Sequence, residues 1–101
     1  MRVLMNIQVP NEPFNTLNRE GRVGQIIGRI LEATSPEAVY FATQNGQRGG
    51  IVVVNLEKES DLPSVAEPWF LSFNATIDAQ VCMTPDDLGA SGMDGLGKQW
   101  G

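Results

Sequence analysis

The side chains best suited to chemistry lie in two stretches where polar and apolar residues alternate. Asn6 and Gln8 belong to the first stretch, and Asp78 and Gln80 belong to the second. Alternation with a period of two is typical of a strand that buries one face. If the two strands are neighbours in one sheet, their polar side chains share a face. The sequence therefore predicts a polar cluster with one carboxylate.

This predicted cluster has the composition of a ligand site. Partial burial disfavours the charged form of a carboxylate, which suits Asp78 to proton transfer as the candidate catalytic residue. The amides of Asn6, Gln8 and Gln80 would then position a carbonyl or phenol as ligand-binding groups. Tyr40, the single tyrosine, either reaches the same cavity or belongs to the core. The alternative is a structural role, in which these polar groups bond to a partner or lie at a wet edge.

The charge balance and the missing residue types exclude several functions. The 101 residues carry a net charge of −5 and include no histidine and one cysteine, Cys82. An acidic surface disfavours nucleic acid and anionic membranes, so we expect neither as a partner. Without histidine, Ser-His and Cys-His catalysis are excluded within one chain, and a structural zinc site is disfavoured. We expect no metal and no cofactor.

The sequence also indicates a cellular compartment. One cysteine excludes an intrachain disulfide framework. The segment after Met1 lacks the pattern of a signal peptide, and no apolar run approaches the roughly 20 residues of a membrane span. We therefore expect a cytoplasmic protein.

Six elements follow from hydrophobic periodicity and from turn residues. Alternation predicts strands, and apolar residues three and four apart predict helices. Glycine and proline mark the ends of the elements. The predicted elements are strand 2–9, a helical region 14–33 with a bend near Gly21, strands 38–43 and 51–56, helix 62–73 and strand 76–83.

Several glycines and prolines have two interpretations. Asn45 and Gly46 predict a two-residue hairpin turn, while the following Gly49 and Gly50 suggest a bulge or a wider loop that contains Arg48. Pro68 should kink its helix or loosen its end. In the first helical region, Gly24 and Gly28 lie four residues apart. They allow close approach of a backbone or a ligand, or they are merely tolerated there.

The C-terminal residues differ in composition from the rest of the chain. We expect a domain over 1–84 and a glycine-rich tail over 85–101. Thr84, Pro85, Asp86 and Asp87 predict a helix start, with a cap, a proline at the first helical position and acids in the first turn. The last 13 residues contain five glycines, so they have little helix propensity. The tail nevertheless contains large apolar residues, among them Trp100. We therefore predict that it docks on the body or on a partner chain.

The order strand, helix, strand, strand, helix, strand predicts a ferredoxin-like βαββαβ fold of the α+β class. Its four-stranded antiparallel sheet should have the order fourth, first, third, second, with both helices on one face. The third strand is apolar at every position from Ile51 to Val54, so both of its faces need cover. Because a soluble monomer seldom exposes such a face, we predict a homodimer whose sheets pair face to face.

The pattern resembles the dimeric α+β barrel superfamily, which includes muconolactone isomerases and cofactor-independent small monooxygenases. The segments PEAVYF at Pro36–Phe41 and AEPWFLSFNA at Ala66–Ala75 are similar to an uncharacterised small-protein family of that superfamily. The resemblance implies a dimeric barrel architecture but says little about activity, because one fold supports many functions.

Two classes of function remain open. One is a cofactor-independent isomerase or monooxygenase acting on a small organic molecule, with Asp78 as proton shuttle. The other is a non-catalytic binding or assembly module. We favour a dimeric protein that binds a small organic molecule in the barrel cavity, because a mostly apolar cavity with a few polar groups is the usual form of a ligand site.

Overall fold

A four-stranded antiparallel sheet with helices on one face forms the body of the protein in a computed structural model, which describes all 101 residues. Helices α4 and α5 follow the last strand. The elements are β1 (Arg2–Val9), α1 (Asn11–Arg19), α2 (Val23–Thr34), β2 (Ala38–Gln44), β3 (Gln47–Asn55), α3 (Leu62–Phe73), β4 (Thr76–Val81), α4 (Pro85–Gly89) and α5 (Met93–Trp100).

The strand order in the sheet is β2-β3-β1-β4, and every neighbouring pair is antiparallel. This is the order that the sequence predicts, so the ferredoxin-like α+β fold is confirmed. The two central strands are β3 and β1. Because their residues alternate in direction, one face of the sheet packs under the helices and the other stays open in the single chain.

The core lies between the sheet and the helices. In β1 every second residue is buried, whereas the intervening residues are only half-buried. The same alternation places Val52 and Val54 of β3 against the helices. The buried cluster consists of Val3, Met5, Ile7, Val9, Ile30, Val52, Val54, Leu56, Val65, Trp69, Phe73 and Ala75.

The helices break where the sequence predicts a bend and continue where it predicts an interruption. Gly21, with φ of +68°, separates α1 from α2, because glycine adopts this left-handed conformation without steric cost. Helix α3 instead continues past Pro68 to Phe73. The proline therefore does not loosen this end of the helix. No helix is long and apolar enough to cross a membrane.

The hairpin between β2 and β3 corrects the predicted bulge. Asn45 and Gly46 both have positive φ, 51° and 76°, and pairing runs without interruption on either side of this two-residue turn. Gly49 lies inside the strand, where a Cβ would collide with the carbonyl oxygen of Ile7 and lie 2.9 Å from Cγ of Gln44. Glycine is thus required there by close approach rather than by a bulge.

The C-terminal segment contains the helix predicted to start at Thr84, which is α4, and a further helix, α5, which corrects the expectation of low helicity for the last 13 residues. Thr84 and Asp87 form a reciprocal capping box at the start of α4, and such caps stabilise a first helical turn. The molecule measures 59 × 28 × 19 Å with a radius of gyration of 16.8 Å, against about 13 Å for a compact domain of this length. The large apolar side chains of the C-terminal segment are exposed: Leu88, Met93, Leu96 and Trp100.

Candidate functional site

The open face of the sheet contains a row of side chains that crosses all four strands. Asn6 is paired with Asp78 on one side and with Ile51 on the other. Ile51 is in turn paired with Tyr40. Cross-strand partners point to the same face with Cβ atoms about 5 Å apart. The row therefore contains three of the five residues that the sequence singles out.

The remaining two predicted residues lie on the same face in adjacent rows. Gln80 is paired with Leu4, and Gln8 is paired with Thr76. In the single chain Asp78 and Gln80 are exposed, and Gln8 is half-buried.

Two further observations describe this polar cluster. Tyr40 has 69% of its surface exposed, so in the single chain it belongs to the open face and not to the core. Asn6 is half-buried, and its Oδ1 accepts a long hydrogen bond of 3.5 Å from Nε2 of Gln44.

An ion-pair network lies at one end of this open face. Arg2 donates to both carboxylate oxygens of Glu37, with its shortest contacts at 2.9 Å, and Asn55 donates to the same carboxylate at 3.0 Å. The hydrogen bond from Arg2, followed by that from Asn55, lowers the pKa of Glu37. Hydrogen bonds from Thr84 lower the pKa of Asp87, which also lies 3.3 Å from Arg2.

A cavity of about 500 Å³ lies on the opposite, helix-covered side of the sheet. Its lining is mostly apolar and comes from β1, α1, α2, α3 and the β2–β3 hairpin. This volume is within the range of small-molecule sites, roughly 300–1,000 Å³. None of the five predicted site residues lines it.

A cluster of aromatic rings lies beside this cavity. The rings of Phe14 and Phe73 have centroids 5.4 Å apart, and those of Trp69 and Phe73 have centroids 6.1 Å apart. Phe41 also lines the space and has 61% of its surface exposed. Trp69 and Phe73 of the α3 stripe pack in the core, as predicted, with 3% and 0% of their surfaces exposed. The accessible aromatic surface of the cavity therefore comes from Phe14 and Phe41.

The polar groups of the cavity lie at its mouth. Arg48 and Thr43 both line it and are directly opposite each other across the hairpin. Nη1 of Arg48 donates to Oδ1 of Asn15 at 2.7 Å, and its guanidinium lies 4.5 Å from the centroid of the Phe14 ring. An arginine that stacks on an aromatic ring is held in place by both contacts.

Gly24 lies at the same cavity and, without a side chain, leaves part of it unfilled. It lines the cavity from α2, and a Cβ built on it would meet no atom within 4 Å. The same holds for a Cβ on Gly28, which does not line the cavity. Neither glycine is therefore required for close contact with another backbone of this chain.

The sequence prediction missed the cavity because its residues carry weak signals. Phe14 falls outside the apolar arc of α2, and Gly49 and Gly50 after Arg48 predict a bulge or a wider loop at that point. One available signal was the turn itself, because two residues at Asn45 and Gly46 place Thr43 opposite Arg48. No group of three or more Cys, Asp or Glu residues is arranged to hold a metal ion.

Comparisons with known proteins support the architecture. Comparison with models of protein families gives no match, and comparison with curated proteins gives none either. Among solved structures, the chain is similar to 5-chloro-2-hydroxyhydroquinone dehydrochlorinase from Burkholderia phenoliruptrix AC1100 in complex with 2,5-dihydroxybenzoquinone. The TM-score is 0.60 at 11% identity, over 85% of this chain and 97% of that one.

The likeness confirms the fold. At 11% identity the likeness shows no activity, substrate or site residue, because one fold supports many chemistries. The resemblance to the dimeric α+β barrel superfamily stays a prediction, as does the similarity of PEAVYF and AEPWFLSFNA to an uncharacterised family.

Proposed function

We propose that this protein binds a small organic molecule in the cavity between the sheet and its helices, and that it does so as a cytoplasmic homodimer. The observation that carries the proposal is the cavity of about 500 Å³, whose accessible lining includes the rings of Phe14 and Phe41. Concave, mostly apolar sites with a few polar groups at fixed positions are the usual form of a ligand pocket. The similar dehydrochlorinase was solved with a small quinone, so this fold accommodates such ligands.

The open face of the sheet supports the homodimer. Leu4, Ile51 and Val53 share this face and are only half-buried in the single chain. Tyr40 adds an exposed aromatic ring to the same surface. A contiguous apolar face of this kind is costly to leave in water. Packing it against the same face of a second copy removes that cost.

A second candidate site is the polar row on the open face. Pairing brings Asn6 beside Asp78, and Tyr40 lies in the same row. If two sheets enclose this row, it becomes the interior of the barrel, with Asp78 as proton shuttle in a cofactor-independent isomerase or monooxygenase. Without a ligand, the same face would serve assembly alone.

A fluorescence titration tests the cavity. N-phenyl-1-naphthylamine is a neutral probe whose emission rises in apolar sites, and we expect the wild-type protein to bind it. Gly24→Leu places a side chain where the structure leaves room at the cavity. We expect this substitution to weaken binding of the probe by about tenfold or more, since the loss of good apolar contacts is worth roughly 1–3 kcal/mol.

Gly28→Leu is the matched control. It makes the same change one helical turn further along α2, where a Cβ also meets no atom and the cavity is not lined. We expect it to bind the probe as the wild type does. Equal binding by wild type and Gly24→Leu would contradict the proposed site.

A further inference from the structure

The mouth of the cavity carries an uncompensated positive charge. Arg48 is the one charged residue that lines the cavity. The ion pairs of the protein involve Arg2, Arg19 and Arg22, and none includes Arg48. In a chain with a net charge of −5, an arginine without a carboxylate partner at an apolar cavity attracts an anion to that point.

The guanidinium is also held in a fixed position. Asn15 accepts one of its N–H groups at 2.7 Å, and the ring of Phe14 lies 4.5 Å below it. A guanidinium has five N–H donors in a planar fork. The contact with Asn15 uses one of them, which leaves donors for a second acceptor. Because the side chain is already ordered, less conformational entropy is lost when a ligand binds.

Thr43 supplies a neutral donor beside this charge. It faces Arg48 across the hairpin and lines the same cavity. The hydroxyls of Thr16 and Thr34 donate to oxygens of this chain, whereas that of Thr43 has no partner in it. A hydroxyl and a guanidinium on adjacent strands can both donate to one small anionic group.

We propose that the ligand of this cavity is a small organic anion with a flat apolar body, such as an aromatic carboxylate or phenolate. The body packs against Phe14 and Phe41, which are the accessible aromatic rings of the cavity, and the anionic oxygen accepts hydrogen bonds from Arg48 and Thr43. This inference rests on the proposed function, because it names the ligand class of the same cavity.

Two probes of nearly equal shape test the charge separately from the cavity. Naphthalene-2-carboxylate is the anion, and naphthalene-2-carboxamide is its neutral counterpart. By isothermal titration calorimetry we expect the wild type to bind the carboxylate about tenfold to a hundredfold more tightly, the range expected for hydrogen bonds to a charged group. Added salt should weaken binding of the carboxylate only.

Three variants identify the residue responsible. Arg48→Met should remove the preference for the carboxylate and leave binding of the carboxamide nearly unchanged. Arg48→Lys retains the charge but not the planar fork, so it should keep part of the preference. Arg29→Met is the control, because it removes one positive charge from an arginine of α2 that does not line the cavity and forms no ion pair.

The outcomes distinguish the inference of an anionic ligand from the proposed binding of a small molecule in the cavity. If neither probe binds, the proposed cavity function fails and the inference fails with it. If both bind equally to the wild type, the cavity stands and the anion is overturned. If Arg48→Met keeps the preference, Arg48 is not the anion-binding group. Should Arg48→Met fail to fold, the two probes on wild type and on Arg48→Lys decide the question.

Discussion

Asp78 lies at the β4 end of the polar row, with Asn6 as its neighbour on β1. In the single chain its side chain is exposed, and it forms no ion pair. Enclosing it between two sheets would remove water from its carboxylate, which costs free energy unless donors replace the water. Removing the charge of Asp78 should therefore change the free energy of unfolding differently in the two cases, according to whether the carboxylate has a functional or a structural role.

The substitution Asp78→Asn separates these two roles. If the row is a functional site, we expect the variant to fold and dimerise normally, with a free energy of unfolding equal to or slightly above that of wild type. It should also retain less of any small molecule that co-purifies with the wild-type protein, as measured by mass spectrometry. Glu57→Gln, which removes a charge from an exposed glutamate outside the sheet, is the control.

A clear loss of stability in Asp78→Asn would contradict the functional role. In that case the carboxylate would be satisfied by donors of the partner chain, and its loss would cost roughly 1–3 kcal/mol, as for a hydrogen bond to a charged group. Denaturant unfolding of wild type, Asp78→Asn and Glu57→Gln at one protein concentration distinguishes the two results.

Single residues differ in how far the sequence predicts their place. Asn6 and Asp78 share a face because alternation within each strand fixes which residues point together, and the strand order makes the two strands neighbours. Arg48 was harder to place because the glycines after it suggested a bulge. Its position depends on the close approach of Gly49 to β1, a tertiary contact that no local pattern contains.

At the scale of elements, the network around Arg2 joins parts of the chain that are distant in sequence. Arg2 of β1 contacts Glu37 at the entry to β2, while Asn55 of β3 contacts the same carboxylate. Arg2 also reaches Asp87 of α4 at 3.3 Å. A single guanidinium therefore connects the sheet to the first helix of the C-terminal segment.

This network predicts a pH dependence of stability. The hydrogen bond from Arg2 lowers the folded-state pKa of Glu37, so the folded state binds fewer protons than the unfolded state near that pKa. The contribution is fully present above the ordinary pKa of glutamate, about 4.3. It is lost as the pH falls through the lower folded-state value.

The variant Glu37→Gln tests this prediction through urea unfolding midpoints measured between about pH 7 and pH 3. We expect it to be less stable than wild type near neutral pH and to lose less stability on acidification. Glu57→Gln removes a glutamate that forms no ion pair, so it should keep the wild-type slope. Parallel curves for Glu37→Gln and wild type would contradict the role assigned to Arg2.

Among the elements, those with a strong period or a clear cap could be predicted, whereas a glycine-rich helix could not. Alternation in β1 and the apolar stripe of α3 predict both elements from sequence alone. The start of α4 is also predictable, because its cap and first-turn acids are local, and Thr84 and Asp87 form the reciprocal bonds there. Helix α5 is not, because Gly95 and Gly97 lower the helix propensity of its sequence.

At the scale of the whole molecule, two apolar surfaces lack cover in the single chain. One is the open face of the sheet around Ile51. The other is the C-terminal segment, where Trp100 has 79% of its surface exposed while Trp69 in the core has 3%. Helices α4 and α5 contain no buried residue, so the apolar side chains of the segment gain little from contact with their own chain. A second copy of the chain offers cover for both surfaces.

We therefore predict that light scattering of the full chain gives twice the monomer mass at micromolar concentration, and that deletion of residues 89–101 shifts the protein toward monomer. Because the segment adds little to the core of its own chain, any fall in melting temperature on deletion should grow as the protein is diluted.

Trp100 provides a direct readout, since Trp69 is buried and contributes little to fluorescence quenching by iodide. Quenching should increase on dilution if Trp100 packs on the partner. A stable full-length monomer, or a truncated protein with an unchanged melting curve and unchanged mass, would contradict the arrangement.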